Sequence, residues 1–572
     1  MNKILKMIDK ICTGMQKGNA DNIIKSMTRE DLETITMLLA SKVNNLTEII
    51  LSMKRQSFGR KSEKFNPDQL NIFELLGLED NTVAIVDSDD IPDGAKQAKK
   101  NPRKPKGKAL SGLPVKEVHY NPDSTVCPIC GKEMHEIAPT VINELVYIPA
   151  QIYIKKSIFH NFACFNQHKD CDESNNDHLK IYHSSQPVPV TLFEKSAASP
   201  AFVAHTAYDL LKKCVPLYRQ EKAYKDMGYN ISRTLLSNWL WRSMNEYLRF
   251  IVDKMRHDFL RLSFIHLDET ELKVLEEVKR GTRNSDSYVW IGMSGEIEDK
   301  QMAIYSYGPG RSINELKKML IIDGEHFSGT AVTDGYTVYD NYTDFSGHAG
   351  CWAHARRRIE DAMKIQTNIY KEFHNKSTSD DRRHEILKDN PAFGHQLWLL
   401  QMIGKVFGYE RKLKGKNAGL DEILKVREEL ELPILKDIHV KILEIQEKFL
   451  PSGKFSAAMN YIVKQWKKLL YYISHPEVSI SNNLIEREGV KPFVMTRKNV
   501  LFANSVEGAE TMMNWFTLFT SAKMNNLDFE KYITYALSEL SIHKMTQETI
   551  ERLLPYSKSL PDDIKISNNS QE

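Results

Sequence analysis

The sequence predicts a multidomain α+β protein, on three observations. At 572 residues the chain exceeds what one hydrophobic core sustains. Between residues 259 and 354, β-rich runs succeed one another, separated by charged or Gly-bearing turns. Over 28–55, 192–258 and 355–475, apolar residues recur at helical spacing instead. Composition is that of an ordinary globular chain, 41% hydrophobic and 27% charged. No apolar run reaches the roughly 18–20 residues of a membrane span, and the N-terminus has no signal-peptide pattern, so a cytoplasmic protein without membrane partners is expected.

In chain order, residues 1–82 form an N-terminal helical segment. Thr28 caps a helix whose Leu32, Ile35, Leu39, Val43, Leu46, Ile50 and Met53 advance by threes and fours, near a coiled-coil heptad. It runs into a basic cluster, SFGRKSEKF, that offers Arg60 and Lys61. Residues 83–112 read as a linker, acidic at VDSDD and then carrying seven Lys/Arg and no acid over 95–108. Basic stretches of this kind suit a polyanion through release of its counterions, and a solvated linker is the plain alternative.

Four of the seven cysteines fall within 113–180, as Cys127, Cys130, Cys164 and Cys171. Cys127-Pro-Ile-Cys130-Gly places two thiolates two residues apart with a turn-permitting glycine, half of a structural Zn²⁺ site. Cys164 supplies a third ligand, and either Cys171 or His168 the fourth. Residues 181–258 follow as helices, with a turn at Gly228-Tyr229-Asn230 and a cap at Ser232 that make 214–243 helix-turn-helix-like, a candidate DNA-binding region with an ordinary helical hairpin as the alternative.

The β-rich region then reads as strands at 262–268, 287–293 and 302–308, a helix near 312–322, and strands at 329–334 and 347–354. That order matches a ribonuclease-H-like core over 259–510, with a long helical insertion at about 355–475 and a helical C-terminal region at 511–572. The first strand appears as an apolar run ending on Asp268, and the fourth ends on Asp334. A third acid, Glu486, lies in SNNLIEREGVKPF. Two Asp and a Glu converging would repel one another until cations arrive, and hard ions such as Mg²⁺ prefer carboxylate oxygen. Glu269, one residue on, is expected on the opposite strand face and outside catalysis.

FGRKSEK, CPICGK, PLYRQEKAYKDMGYNISRTLLSNW, HLDET, VTDGY, GCWAHARRR and NNLIEREGVKPFVMTRKNVLFANSVEGAE occur in that order. Together they resemble the DDE transposases of the insertion sequence 66 family, from about residue 32 to 530. The resemblance implies that Asp268, Asp334 and Glu486 hold two Mg²⁺ (or Mn²⁺) ions and that the chain binds terminal inverted repeats, cleaves DNA and transfers strands. It places Cys351 and His354 in a Cys-x-x-His element supporting the site. It makes Arg356, Arg357, Arg358, Arg497 and Lys498, with Arg60 and Lys61, candidate DNA contacts. A homo-oligomer and small accessory proteins are the partners expected besides DNA. A silent zinc-dependent DNA-binding regulator and a structure-selective nuclease are the alternatives.

Overall fold

The computed structural model describes residues 28–29, 152, 162–164, 180–182, 191–194, 196–279, 287–375, 377–448, 453–543 and 545–566. The N-terminal helix, Arg60 and Lys61, the linker, and Cys127, Cys130, His168 and Cys171 lie outside the described residues. Two compact units divide the chain, one of Met1–Thr82 with Thr191–Ile566, the other of Val83–Val190 with Ser567–Glu572. In the second unit, β1 (Phe162–Cys164) pairs antiparallel with β2 (Lys180–Tyr182), and Cys164 ends β1.

The larger unit opens with four helices: α1 (Pro200–Leu211), α2 (Leu217–Asp226), α3 (Arg233–Arg242) and α4 (Arg249–Leu260). Serine caps set two of them, Ser199 accepting from Phe202 N and Ser232 from Leu235 N. A five-stranded sheet follows: β3 (Phe264–Leu272), β4 (Ser287–Ser294), β5 (Ala303–Gly308), then β6 (Thr330–Thr333) and β7 (Gly347–Gly350). Its order is β5-β4-β3-β6-β7. The first three strands are antiparallel, while β6 joins β3, and β7 joins β6, in parallel. Between β5 and β6 stands α5 (Ile313–Leu320).

Two expectations change here. The strand expected over 347–354 ends at Gly350, because a helix begins at Trp352, and the first strand is longer than expected. β3 does not stop at Asp268 but runs on to Leu272, because Glu269–Leu272 stay paired with Ser287–Trp290 of β4. Asp268 therefore sits inside a strand, while Asp334 stands one residue beyond β6.

Both sheet faces are covered, which is why β4 and β5 are almost wholly buried. Phe259 of α4 lies so close to Gly292 that a Cβ there would come within 2.5 Å of its ring. On edge strand β5, Ala303 N and Tyr305 N donate to Ser521 Oγ and Thr517 Oγ1 of α11 (Val506–Met524), each at 3.0 Å. Side-chain hydroxyls thus satisfy the edge that a sixth strand would otherwise seek.

Beyond β7, α6 (Trp352–Met363) begins the helical insertion, with α7 (Pro391–Gly415), α8 (Leu432–Lys448) and α9 (Gly453–Lys464) as its main members. Its core is continuous with the sheet's: Phe264, Val332 and Ala349 cluster with Trp352, Ile359, Ile403, Ile438 and Ile462. The chain returns to the sheet through a π-helical turn, Glu486–Val490, and α10 (Lys491–Val500). Among the described residues no helix is long and apolar enough to cross a membrane.

Candidate active site

Asp268, Asp334 and Glu486 enter from three elements at the middle of the sheet and together form a carboxylate edge there. These elements are central strand β3, the turn after its neighbour β6, and the π turn packed on β3 and β4. Asp268 is held in β3 opposite Ile291, and its Oδ1 accepts from Glu269 N at 2.8 Å. Solvent reaches part of it, yet the surrounding protein is dense, and burial is the first cause lifting its carboxyl well above the ordinary range. The charges of Glu269, Asp334 and Glu486 raise it further, in that order among the carboxylates. All three are therefore electrostatic neighbours of Asp268.

Asp334 closes an Asx turn, its Oδ1 accepting from Tyr336 N at 2.8 Å. The next residue, Gly335, has φ +86°, and a Cβ there would stand 2.8 Å from the Tyr461 hydroxyl. That hydroxyl instead donates to the Asp334 carbonyl at 2.6 Å, so α9 of the insertion fixes the Asp334 turn. Glu486 opens the π turn. Arg357 Nη2 donates to its Oε2 at 2.9 Å, and His354 Nε2 stands 3.4 Å from its Oε1, which is buried without a hydrogen bond.

Asn482, fully buried, ties the Glu486 segment to the Asp268 strand. Its Nδ2 donates to Leu267 O, its Oδ1 meets His266 Nδ1, both at 2.8 Å, and its backbone N donates to Cys351 Sγ at 3.2 Å. Cys351 is thus a buried acceptor whose thiol burial pushes up to about 12, a structural post. His354 faces Glu486 directly, and burial lowers its pKa. The π turn approaches β4 because Gly489 has no side chain; a Cβ would meet Met293 Sδ at 2.9 Å. Sequence reasoning did not single out Asn482, although it lies inside the NNLIE motif. A polar residue one helical turn before a catalytic-type acid was the available signal.

Glu269 does lie on the strand face opposite Asp268, level with Trp290. It is nonetheless part of the same charge cluster. Burial, then Asp334, raise its pKa, while Tyr339 and Arg311 bind it and lower it. Arg311 in turn stacks on Tyr336, 3.7 Å from the ring centre. Asp340 is engaged by Lys468 instead.

The candidate DNA contacts divide. Arg356 is 13% exposed and faces Glu360 at 3.6 Å. Arg357 holds Glu486, and Arg358 lies 4.4 Å above the Tyr461 ring. Arg497 folds back onto β3, donating to Thr270 Oγ1 at 3.2 Å and to the Glu271 carbonyl. Lys498 is exposed on α10. Among the described residues, no three His, Cys, Asp or Glu side chains are arranged to hold a metal ion. With Glu486 drawn to Arg357, the carboxylates are near neighbours rather than a closed ligand set.

Residues 195–511, which contain all three carboxylates, match the model of the Transposase IS66 family, and residues 45–118 match that of Transposase C of IS166 homeodomain. Among relatives in Sinorhizobium fredii (strain NBRC 101917 / NGR234), the uncharacterized protein y4jD is 24% identical over 553 residues, covering 93% of this chain and 98% of the relative. Uncharacterized protein y4qI is 25% identical over 64% of each chain. A third, y4hP, is 22% identical over 76% of this chain and 73% of its own length. Over more than half its length, including the whole carboxylate edge, this chain belongs to the IS66 family of transposases.

Proposed function

We propose that this DNA transposase binds the terminal inverted repeats of an insertion sequence. On this reading it cleaves and transfers DNA strands in a metal-dependent reaction at Asp268, Asp334 and Glu486. One observation carries the reading: acids 66 and 152 residues apart in sequence are brought close enough for Asp334 and Glu486 to raise the pKa of Asp268. Gathering like charges costs stability, and structural acids are normally balanced by cations or donors. The mixed sheet, with an antiparallel triplet continued by two parallel strands, supports a ribonuclease-H-like core.

By chemistry the donor set fits Mg²⁺ or Mn²⁺. It offers only carboxylate oxygens, and one of them, Glu486 Oε1, is buried without a hydrogen bond. Two such cations would stabilise the attacking and leaving oxygens of an in-line phosphodiester displacement. The chain's own contribution is placement. Backbone N–H groups fix one oxygen each of Asp268 and Asp334, and Asn482 sets the Glu486 segment against β3. Arg357 balances Glu486 and is the donor nearest at hand for a scissile phosphate. Water would first attack a phosphodiester to free a 3′-OH, which would then attack target DNA with no covalent protein intermediate.

A structural Zn²⁺ at Cys127, Cys130, Cys164 and Cys171, with His168 as the alternative fourth ligand, belongs to the same proposal and rests on spacing alone. Joining two transposon ends calls for at least two protomers, and small accessory proteins are further proposed partners.

The test uses full-length protein and duplexes from the ends of the DNA that carries its gene. Asp268→Asn, Asp334→Asn and Glu486→Gln should each lower nicking and joining by at least about 10³-fold while end binding is kept. Activity within tenfold of the parent in any one of them removes that residue from the site.

A further inference from the structure

The helices before the sheet carry chemistry that the carboxylate edge does not use. From Lys212 to Arg242 the chain holds seven Lys/Arg against two acids. One of those acids, Glu221, is spent inside the motif, its Oε1 accepting from Arg233 N at 3.1 Å. The turn between α2 and α3 passes through Gly228 at φ +89°, and Ser232 caps α3. Leu236, Trp239 and Leu240 bury one side of α3; Trp239 packs edge-on to Phe202 at 5.8 Å and donates to Ser196 Oγ at 3.1 Å. Buried Gln220 links α2 to the carbonyls of Thr206 and Val215 at 3.3 and 3.0 Å. The pair is rigidly mounted.

What faces outward is short and polar. At 100° per residue, Thr234, Ser237 and Asn238 lie on one arc of α3, opposite Leu236 and Trp239, and Arg233 joins them in the first turn. All four are exposed, and among the described residues none of their side chains makes a hydrogen bond or ion pair within the chain. Lys222 and Lys225 on α2 are exposed and equally unengaged. A merely solvated face is usually laced with charge pairs, as Arg382 with Glu372 and Glu385 shows elsewhere in this protein. Here the face of α3 holds donors and acceptors suited to base edges and no acid, and beside it α2 presents two lysines against one exposed acid, Asp226.

We infer that α2 and α3 form a reading head for duplex DNA. α3 enters the major groove with Arg233, Thr234, Ser237 and Asn238 toward base edges, while Lys222 and Lys225 of α2 hold flanking phosphates. The inference rests on the reading of DNA as partner but not on the carboxylate chemistry. It assigns the sequence preference to a specific helix face rather than to the N-terminal basic stretches.

Full-length protein, without added divalent cation, is used to select from a pool of duplexes randomised over about 20 base pairs, and anisotropy then reads affinity for the enriched motif and for unselected DNA. Arg233→Ala and Asn238→Ala should each weaken motif binding by about 5–100-fold and leave unselected DNA nearly unchanged. Lys222→Ala with Lys225→Ala should weaken both alike and lower the salt slope by about 2. The inference is overturned if the Arg233→Ala, Asn238→Ala double variant keeps the motif preference, if it loses both kinds of binding together, or if the parent enriches no motif. Asp268→Asn, carried in parallel, should keep the motif. Preference that survives the double variant leaves the transposase reading intact and moves sequence reading elsewhere in the chain.

Discussion

Among the described residues of the larger unit, two clusters of buried and half-buried acids stand out, and the protein treats them differently. In the helical insertion, Arg427 grips Glu410 with two hydrogen bonds at 2.7 and 2.9 Å and donates to the carbonyls of Tyr472 and His475. Glu431, 0% exposed, receives the Tyr472 hydroxyl at 2.8 Å. Here a cation and a phenol stand directly among the acids. On the central strand of the sheet, Asp268 has only a backbone N–H, and its neighbours are three further carboxylates. The cations nearby bind other members of this cluster, Arg311 holding Glu269 and Arg357 holding Glu486, and among the described residues neither Asp268 nor Asp334 has an ion pair. In the insertion a guanidinium and a phenol reach the acids, whereas two of the four acids at the sheet, Asp268 and Asp334, have only backbone N–H donors, as a site open to cations would.

The sharpest way to break the contrast is to remove the arginine from each cluster. Arg427→Met leaves Glu410 and Glu431 together without their cation, which should cost about 3–5 kcal/mol of unfolding free energy in chemical denaturation. Arg357→Ala should cost about 1 kcal/mol or less, because Glu486 remains 27% exposed and water replaces the guanidinium. Equal losses from the two variants would mean that the edge is as closed as the insertion.

Glu431 offers a second, smaller test, in pH. Burial first, and the charge of Glu410 next, raise its carboxyl from 4.5 to about 8. Below about pH 4.5 the group is protonated folded and unfolded alike, and its contribution is fully present. As pH rises toward 8 the unfolded chain gives up the proton while the folded chain keeps it, so stability falls. Glu431→Gln should flatten that slope and leave the variant about 2 kcal/mol more stable than the parent at pH 8.5, with little difference at pH 5. Parallel melting curves across that window would show Glu431 to be ionised in the fold.

The strands and the helix between them were legible because β-rich runs and helical spacing are local signals, whereas the three acids were chosen through the family resemblance. The end of β3 was not, since Thr270 and Glu271 look like turn residues and are kept extended only by pairing with β4. Alternation correctly set Glu269 on the far face, but no pattern reveals that Asp334 reaches both faces of that strand end electrostatically. Asn482 and the Glu410–Arg427–Glu431 network escaped for the same reason. Their partners are 17 to 216 residues away, and only the packing of the insertion onto the sheet brings them together.

The smallest expected effect bears most directly on what the open cluster is for. Burial and three like charges disfavour ionised Asp268, so without divalent cation it should destabilise the fold increasingly as pH rises above the ordinary carboxylate range. Asp268→Asn keeps the Oδ1 that accepts Glu269 N–H and removes the charge. The variant should gain about 1 kcal/mol at pH 8 in cation-free buffer and about nothing at pH 4, although the same substitution is expected to silence cleavage. Glu431 shares that sign but has the Tyr472 hydroxyl, whereas Asp268 has only a backbone N–H, so Asp268 is the acid held in place against the fold's interest. A variant less stable than its parent at pH 8 would show that Asp268 already has its counter-charge, and the distinction between the two acid clusters would disappear.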